Sequence, residues 1–254
     1  MHTAQAVTAV AAGLAGLPAG SYATVLAKRV PDAQSVLHPA GRCPLCGSVL
    51  TAVQMIPVLS WLRQRGRCVA CGQPYGPRYL IAELVTPSAL AALGYQIGPS
   101  IVLAPLCYLS AIGVALALID IEHHRLPRAL TLPSYLATGA LLVLAAQFTM
   151  HGWRHLIGSL VGMAALWLFY AAPAFLVPGQ MGWGDVWLGG LLGLSLGWFG
   201  LSACLDGTLA ALLLAWPAAL RRIAARRHGL PASPIALGPY MLVGAFLAVL
   251  AVAV

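Results

Sequence analysis

Long apolar stretches alternate with short polar ones along most of the chain. Eight apolar runs predict eight membrane helices, because about 20 apolar residues are needed to cross the hydrocarbon core of a bilayer. The runs cover residues 6 to 27, 80 to 97, 100 to 120, 131 to 149, 156 to 177, 186 to 203, 205 to 220 and 234 to 254. The sixth and seventh runs lie close enough to form one interrupted segment. The pattern predicts an all-α polytopic membrane protein with one long polar insert after the first helix.

Composition supports a membrane protein. Hydrophobic residues make up 60% of the 254 positions and charged residues only 8%, whereas soluble domains have about 45–50% apolar and about 25% charged residues. A water-soluble fold is therefore excluded. The first run is expected to be a retained helix and not a cleaved signal peptide, because its basic residues, Lys28 and Arg29, follow the apolar stretch.

The basic residues predict the orientation of the helices. If eight helices are threaded from an N-terminus outside the cell, the polar segments 28 to 79, 121 to 130, 178 to 185 and 221 to 233 share one side. Every Lys and Arg except Arg154 lies in one of these segments, and Lys and Arg are enriched in cytoplasmic loops. The shared side is therefore predicted to be cytosolic. The net charge of +8 indicates contact with anionic lipid and not with nucleic acid, since the basic residues flank the helices.

The polar insert contains two pairs of cysteines. Each pair has two residues between the cysteines and a glycine directly after them, as in Cys43 to Cys46 with Gly47 and in Cys68 to Cys71 with Gly72. This spacing is typical of zinc ribbons, in which four thiolates surround one tetrahedral ion. Two disulfides are the alternative, but the reducing cytosol disfavours them. The sequence predicts a structural Zn²⁺ held by Cys43, Cys46, Cys68 and Cys71.

Three parts follow from this pattern: a first transmembrane helix at 1 to 27, a cytosolic four-cysteine insert at 28 to 79, and a transmembrane core at 80 to 254.

The chain has six acidic residues. Placing a carboxylate in a transmembrane helix costs about 2.5–3.5 kcal/mol on insertion scales. Asp120, at the end of the third run, and Asp185, just before the sixth, are both predicted at the cytosolic edge.

Two such carboxyl groups suit an aspartyl peptidase. If they lie close enough to share one proton, one accepts a proton from water while the other donates one. The glycines before Asp185 permit a bend and the close approach of a substrate strand. Two simpler interpretations stay open: Asp185 is a helix N-cap, and Asp120 is a polar residue at a membrane boundary. Glu83 is either an acid in the first turn of a helix or part of a second polar site.

An ordered set of motifs resembles the type IV prepilin leader peptidases, also called prepilin peptidase and N-methyltransferase. The resemblance covers nearly the whole chain and includes the paired cysteines. Its other motifs are Gly20-Ser21 through Arg29-Val30-Pro31, Ile56 through Leu62, Arg65-Gly66-Arg67-Cys68, Arg78-Tyr79 with Glu83-Leu84 and Thr86, Ile119-Asp120 followed by Leu126-Pro127, Gly182-Trp183-Gly184-Asp185, and Pro234 through Tyr240.

This resemblance implies a specific activity. Enzymes of the family cut the basic leader from prepilins and from type II secretion pseudopilins at the bacterial inner membrane. Bifunctional members then methylate the new N-terminal amine with S-adenosylmethionine. Asp120 and Asp185 match the catalytic pair of the family, and the four cysteines match its cytosolic cysteine motif. Because an acceptor amine must be deprotonated to be methylated, Glu83 is a candidate for orienting this amine or taking its proton.

The chain also departs from the family pattern. Arg128 stands where the family has an acid after Leu-Pro, and Trp187 stands where it has a lysine. The opening motif has Tyr22-Ala23-Thr24 in place of Phe-Leu-Asn. These changes leave open an assembly factor of the secretion machinery without activity. A transporter in which Asp120 and Asp185 bind a cation or proton is a separate alternative from another class of protein. The oligomeric state is not predicted.

Overall fold

The computed structural model describes residues 2–36, 41, 43, 46–49, 51, 56–74, 76–176, 181–228 and 235–252. Arg42, Gly179, Gln180 and Pro234, which belong to the segments and motifs above, lie outside these residues. The described part of the chain forms nine helices: α1 (His2–Arg29), α2 (Leu59–Arg63), α3 (Pro77–Ile97), α4 (Leu103–His123), α5 (Arg128–Phe148), α6 (Gly152–Leu176), α7 (Trp183–Leu196), α8 (Leu201–Arg227) and α9 (Gly238–Val252). The predicted all-helical polytopic fold is confirmed.

Among the described residues, fewer helices have membrane-crossing length than the eight that the apolar pattern predicts. Six helices, α1, α3, α4, α5, α6 and α8, are long and apolar enough to cross a membrane. The other two apolar helices are shorter, with 14 residues in α7 and 15 in α9. At a rise of about 1.5 Å per residue, neither reaches the ~30 Å of a bilayer core. The count of eight is therefore approximate. The sixth and seventh runs form separate helices, and Gly200 between them has a φ of 115°.

The chain divides into two compact units, Met1–Gly98 and Pro99–Val254. In the first unit α1 packs lengthwise against α3. Small residues on both helices permit this close approach, since a Cβ on Gly16 would lie 2.5 Å from the Cα of Pro87. Gly94 meets the backbone of α1 in the same way, 2.8 Å from the carbonyl of Thr8. In lipid, the hydrophobic effect does not hold two helices together, so van der Waals contact between closely packed backbones stabilises the pair.

The second unit is built around α7. Nearly every residue of α7 from Val186 onward is buried, because α5, α6, α8 and α9 all contact this helix. A helix that is apolar on all sides is stable only when it is enclosed in this way. Since α7 begins at Trp183, enclosing it places Asp185 at one end of the bundle interior.

Glycines fix α7 against α6. A Cβ added to Gly162 of α6 would lie 2.6 Å from the carbonyl of Gly193 and 2.8 Å from the Cα of Gly197, both in or next to α7. Gly158, one turn earlier, meets the carbonyl of Gly197 at 2.6 Å. The two helices therefore touch backbone to backbone at these positions, and no side chain fits between them.

We predict that Gly162→Ala lowers the stability of the protein by about 1–3 kcal/mol, because its methyl group must push α6 away from α7. Thermal unfolding in detergent measures this loss as a lower midpoint. Gly139→Ala is the matched control, since nothing lies within 4 Å of a Cβ at Gly139 in α5. Equal midpoints for Gly162→Ala and the wild type would contradict the close helix contact.

Candidate active site

Asp120 lies in the last turn of α4 and only 4% of its surface is exposed. The helix ends at this point because His124 adopts the left-handed conformation and donates its N–H to the carbonyl of Asp120. The carboxylate oxygen Oδ2 accepts a hydrogen bond of 2.9 Å from the backbone N–H of Gly238. Gly238 is the first residue of α9. A buried carboxylate thus receives a donor from the amino end of another helix, where an anion is favoured.

Glycine at position 238 leaves room for the carboxyl group of Asp120. A Cβ there would lie 2.9 Å from Oδ2 of Asp120 and 3.4 Å from its Cγ, so a side chain would displace the carboxyl group. Gly238 belongs to the closing motif, Pro234 through Tyr240, and the sequence alone predicts no role for it. A glycine at the start of an apolar helix is a weak signal, so the contact itself was needed to find it.

Asp185 lies in the first turn of α7, and its backbone N–H donates to the carbonyl of Gly182 at 3.0 Å. The start of α7 rests on the turn between α4 and α5. A Cβ on Gly184 would lie 2.8 Å from the Cβ of Leu126 and 3.3 Å from its backbone nitrogen. Because Leu126 comes six residues after Asp120, this close packing brings the start of α7 to the end of α4.

The two carboxyl groups interact electrostatically, since the charge of Asp120 acts on Asp185. His124 also acts on Asp120, and the charge of Asp185 acts on Tyr170 of α6. Two carboxyl groups that lie close together in apolar surroundings do not both ionise readily. An arrangement of this kind can move protons to and from a water molecule.

Trp187, which stands where the resemblance implies a lysine, belongs to an aromatic cluster. Its ring meets the ring of Tyr135 edge-on at a centroid distance of 6.3 Å and that of Trp167 at 6.2 Å. Aromatic pairs favour this edge-on geometry. The tryptophan therefore packs α7 against α5 and α6. Tyr135 belongs to none of the sequence motifs described above.

The four cysteines converge in the first unit. The sulfur atoms of Cys43, Cys46, Cys68 and Cys71 all lie within 4.8 Å of one another. Two equivalent turns bring them together, in which Gly47 and Gly72 have φ values of 72° and 69° and donate to the carbonyls of Cys43 and Cys68. Sulfur ligands of a tetrahedral zinc ion lie about 3.8 Å apart, given Zn–S distances near 2.3 Å. The cluster therefore has the donor atoms and the size to bind a metal ion.

The electrostatics of the thiols also favour a cation. A hydrogen bond with Ser48 lowers the pKa of Cys46. The backbone of Gln73 lowers the pKa of Cys71, but burial and the neighbouring sulfurs of Cys68 and Cys46 outweigh this effect and raise it to about 11. Four thiolates so close together repel one another, and a divalent cation among them removes that repulsion.

Glu83 lies in α3, in the first unit. Its Oε2 accepts a hydrogen bond of 2.7 Å from the backbone N–H of Val58, the residue before α2. Ser21 of α1 hydrogen-bonds the same carboxylate. Val58 has a φ of 62°, which is strained for a β-branched residue. Glu83 thus holds the start of α2 in place, and its contacts lie within the insert and the helices that flank it.

Comparison with known proteins identifies the family. The model of the bacterial peptidase A24 N-terminal domain matches residues 14–97, and the model of the type IV leader peptidase family matches residues 107–254. The chain belongs to the type IV leader peptidase family. The resemblance seen in the motifs is confirmed, and each match falls within one of the two compact units.

Three relatives illustrate the membership in this leader peptidase family, and each is named "prepilin leader peptidase/N-methyltransferase". The protein of Myxococcus xanthus (strain DK1622) is 37% identical over 72% of this chain and 54% of its own length. The protein of Aeromonas hydrophila is 35% identical over 85% of this chain and 73% of its own length. The protein of Bacillus subtilis (strain 168) is 33% identical over 86% of both chains. The chain thus spans about half the length of the Myxococcus relative. No solved structure matches it significantly.

Family membership and the helices together define the location of the protein. A leader peptidase family chain with six helices of membrane-crossing length is a multi-pass inner-membrane protein. Of the residues singled out by sequence, Asp120 and Asp185 come together in the second unit, and the four cysteines come together in the first. Glu83 also lies in the first unit, beside Ser21 and Val58.

Proposed function

We propose that this chain cleaves the leader peptide of a type IV prepilin or a type II secretion pseudopilin, with Asp120 and Asp185 as its two catalytic acids. The observation that carries the proposal is the pairing of these carboxyl groups, with Asp120 held by the Gly238 amide and Asp185 held by the start of α7. Family membership supports it, since the relatives are named for this activity. The family also favours a peptidase over a transporter.

The pair would cleave a peptide bond by moving protons. One carboxylate takes a proton from water as the water oxygen attacks the carbonyl carbon, and the protonated partner gives its proton to the carbonyl oxygen. In the tetrahedral intermediate, the first carboxyl group then protonates the leaving nitrogen. The C–N bond breaks, and the second carboxylate recovers a proton from a hydroxyl of the intermediate. The pair ends in the protonation state in which it began.

The position of the pair suits the substrate class. Asp120 lies at the end of one membrane-crossing helix, and Asp185 lies at the start of α7. A substrate with a polar leader followed by an apolar helix has its junction at the membrane surface. We place the N-terminus outside the cell, and the carboxyl pair and the cysteine cluster at the cytosolic face. The distribution of Lys and Arg supports this orientation.

Zinc is the metal that the cysteine cluster fits best. Cys43, Cys46, Cys68 and Cys71 would hold Zn²⁺ as a closed four-sulfur site, which stabilises a fold and leaves no coordination position for a substrate. Among its described residues, the segment around the cluster has one short helix, α2, so a bound ion supplies the cross-link that a small core does not. The metal would have no part in peptide cleavage.

The second proposed activity is N-methylation of the new N-terminus, for which the relatives are also named. S-adenosylmethionine would supply the methyl group, and the acceptor amine must lose a proton to attack it. We propose Glu83 as the residue that orients the amine or takes this proton. The Val58 N–H and the Ser21 side chain hydrogen-bond this carboxylate and fix it within the first unit.

We predict that Asp120→Asn and Asp185→Asn each lower leader cleavage by about 10³-fold or more, because neutralising either group ends the proton cycle. Purified protein incubated with a prepilin in detergent, followed by mass spectrometry of the product, measures the loss. Asp206→Asn, at an exposed acid of α8, is the control and should cleave normally. Wild-type activity should fall at low pH, where the pair is fully protonated, and at high pH, where it is fully ionised. Substantial cleavage by either Asn variant would refute the assignment.

We predict one zinc ion per chain in protein purified without chelators. Elemental analysis of the wild type should find it, and Cys68→Ser should lose it because three sulfur ligands bind far more weakly than four. Cys107→Ser, which changes a cysteine of α4 outside the cluster, should keep its zinc. Protein without metal, or with disulfides between the four cysteines, would contradict the structural site.

We predict that Glu83→Gln cleaves the leader normally but methylates the product about 10²-fold more slowly. Glutamine keeps an acceptor for the Val58 N–H but cannot take a proton from the amine. Mass spectrometry of the mature product, after reaction with S-adenosylmethionine, separates the two activities. Asp32→Asn, at an exposed acid of the same unit, is the control. Normal methylation by Glu83→Gln would show that Glu83 has only a structural role. A wild type that cleaves the leader but never methylates the product would show that the protein is a peptidase without methyltransferase activity.

A further inference from the structure

Tyr135 of α5 reaches into the backbone of α7. Its hydroxyl donates a hydrogen bond of 2.6 Å to the carbonyl of Trp187. The backbone N–H of Leu191 donates to the same hydroxyl oxygen. One side chain therefore contacts both a carbonyl and an amide of the helix that carries Asp185.

These two backbone groups are partners in an ordinary helix. In an α-helix the N–H of residue 191 bonds to the carbonyl of residue 187, four positions earlier. The Tyr135 hydroxyl lies at this backbone hydrogen bond, which we call the 187–191 rung. A side chain that inserts at a backbone hydrogen bond sets the local bend of a helix. The rung separates the first turn of α7 from the part that Gly193 and Gly197 hold against α6.

The neighbouring residues are shaped to admit the hydroxyl. Gly190 leaves the space that it occupies, since a Cβ there would collide with the hydroxyl oxygen and would lie 3.2 Å from the Trp167 ring. The Tyr135 ring is held edge-on by Trp187. The contact between the Tyr135 hydroxyl and the backbone of α7 therefore depends on residues of three helices, α5, α6 and α7.

We propose that Tyr135 is a positioning residue, whose hydroxyl holds the Trp187 carbonyl and so fixes the turn of α7 that places Asp185 beside Asp120. The inference rests on the proposed peptidase function. Trp187 lies only two residues after Asp185, so a change in the bend at this rung moves the carboxyl group. A displacement of about 1 Å between reacting groups costs about 10²-fold in rate.

The test compares Tyr135→Phe with Tyr108→Phe. Both variants remove one half-buried hydroxyl from the α4 and α5 pair, but the Tyr108 hydroxyl bonds to Ser134, at 3.1 Å, and not to α7. We expect Tyr135→Phe to lower kcat for leader cleavage by about ten- to a hundredfold, with KM changed by less than about twofold. Tyr108→Phe should keep both values.

The pH profile separates positioning from a loss of folded protein. If Asp185 moves away from Asp120, the two carboxyl groups interact less and their two apparent pKa values draw together, so the pH optimum of Tyr135→Phe becomes narrower. Both variants keep the other ionisable groups that interact with the pair, His124 and Tyr170. A merely unfolded fraction lowers the rate at every pH and leaves the width unchanged.

Hydrogen exchange gives a readout that needs no activity. In lipid nanodiscs, mass spectrometry should show faster exchange across residues 183 to 191 in Tyr135→Phe than in the wild type or Tyr108→Phe. An unchanged pH width, an equal effect of Tyr108→Phe, or unchanged exchange would each overturn the positioning role. If the wild type does not cleave any prepilin, the proposed function fails, and the exchange experiment alone decides whether Tyr135 holds α7.

Discussion

A carboxylate enclosed by apolar helices must have a hydrogen-bond donor, and the donor that Asp120 receives comes from the main chain of α9. Glycine at position 238 suits this approach, because a Cβ there would lie 2.9 Å from the accepting oxygen. A similarly close approach recurs at Gly184, where the start of α7 meets Leu126. The second unit is thus organised by main-chain contacts, and its glycines mark the places where helices must touch for the carboxyl groups to meet.

Trp187 and Arg128, which depart from the family pattern, both stand in positions that leave room for the carboxyl pair. Trp187 is engaged by Tyr135 and Trp167 and contacts neither carboxyl group in the described contacts, so an aromatic residue at this position is compatible with the pair. Arg128 is the first residue of α5, where a positive charge is less favourable than an acid because of the helix dipole. That cost affects the start of α5 and leaves the geometry of Asp120 and Asp185 intact. The assembly-factor alternative therefore draws no support from the site.

Local patterns in the sequence account for the helices, the two cysteine turns and the candidacy of Asp120 and Asp185. Each of these depends on residues a few positions apart, which hydropathy and spacing record. The bond between Gly238 and Asp120 joins residues 118 positions apart, and the bond between Tyr135 and Trp187 joins residues 52 positions apart. No periodicity encodes such pairs. Apolar runs also overstate crossing helices, because an enclosed helix such as α7 is as apolar as a lipid-facing one although it has only 14 residues.

The length of α7 connects the fold to the proposed chemistry. A helix that crossed the whole bilayer would need about 20 residues and would carry its first turn out to the head groups. With 14 residues and glycine contacts to α6 along its second half, α7 instead begins against the turn after α4, where Gly184 meets Leu126. Asp185 therefore stays among protein side chains, half-buried, and Asp120 is nearly inaccessible. Two carboxyl groups in such surroundings retain a shared proton more readily than two groups in water, which is the state that acid–base cleavage of a peptide bond requires.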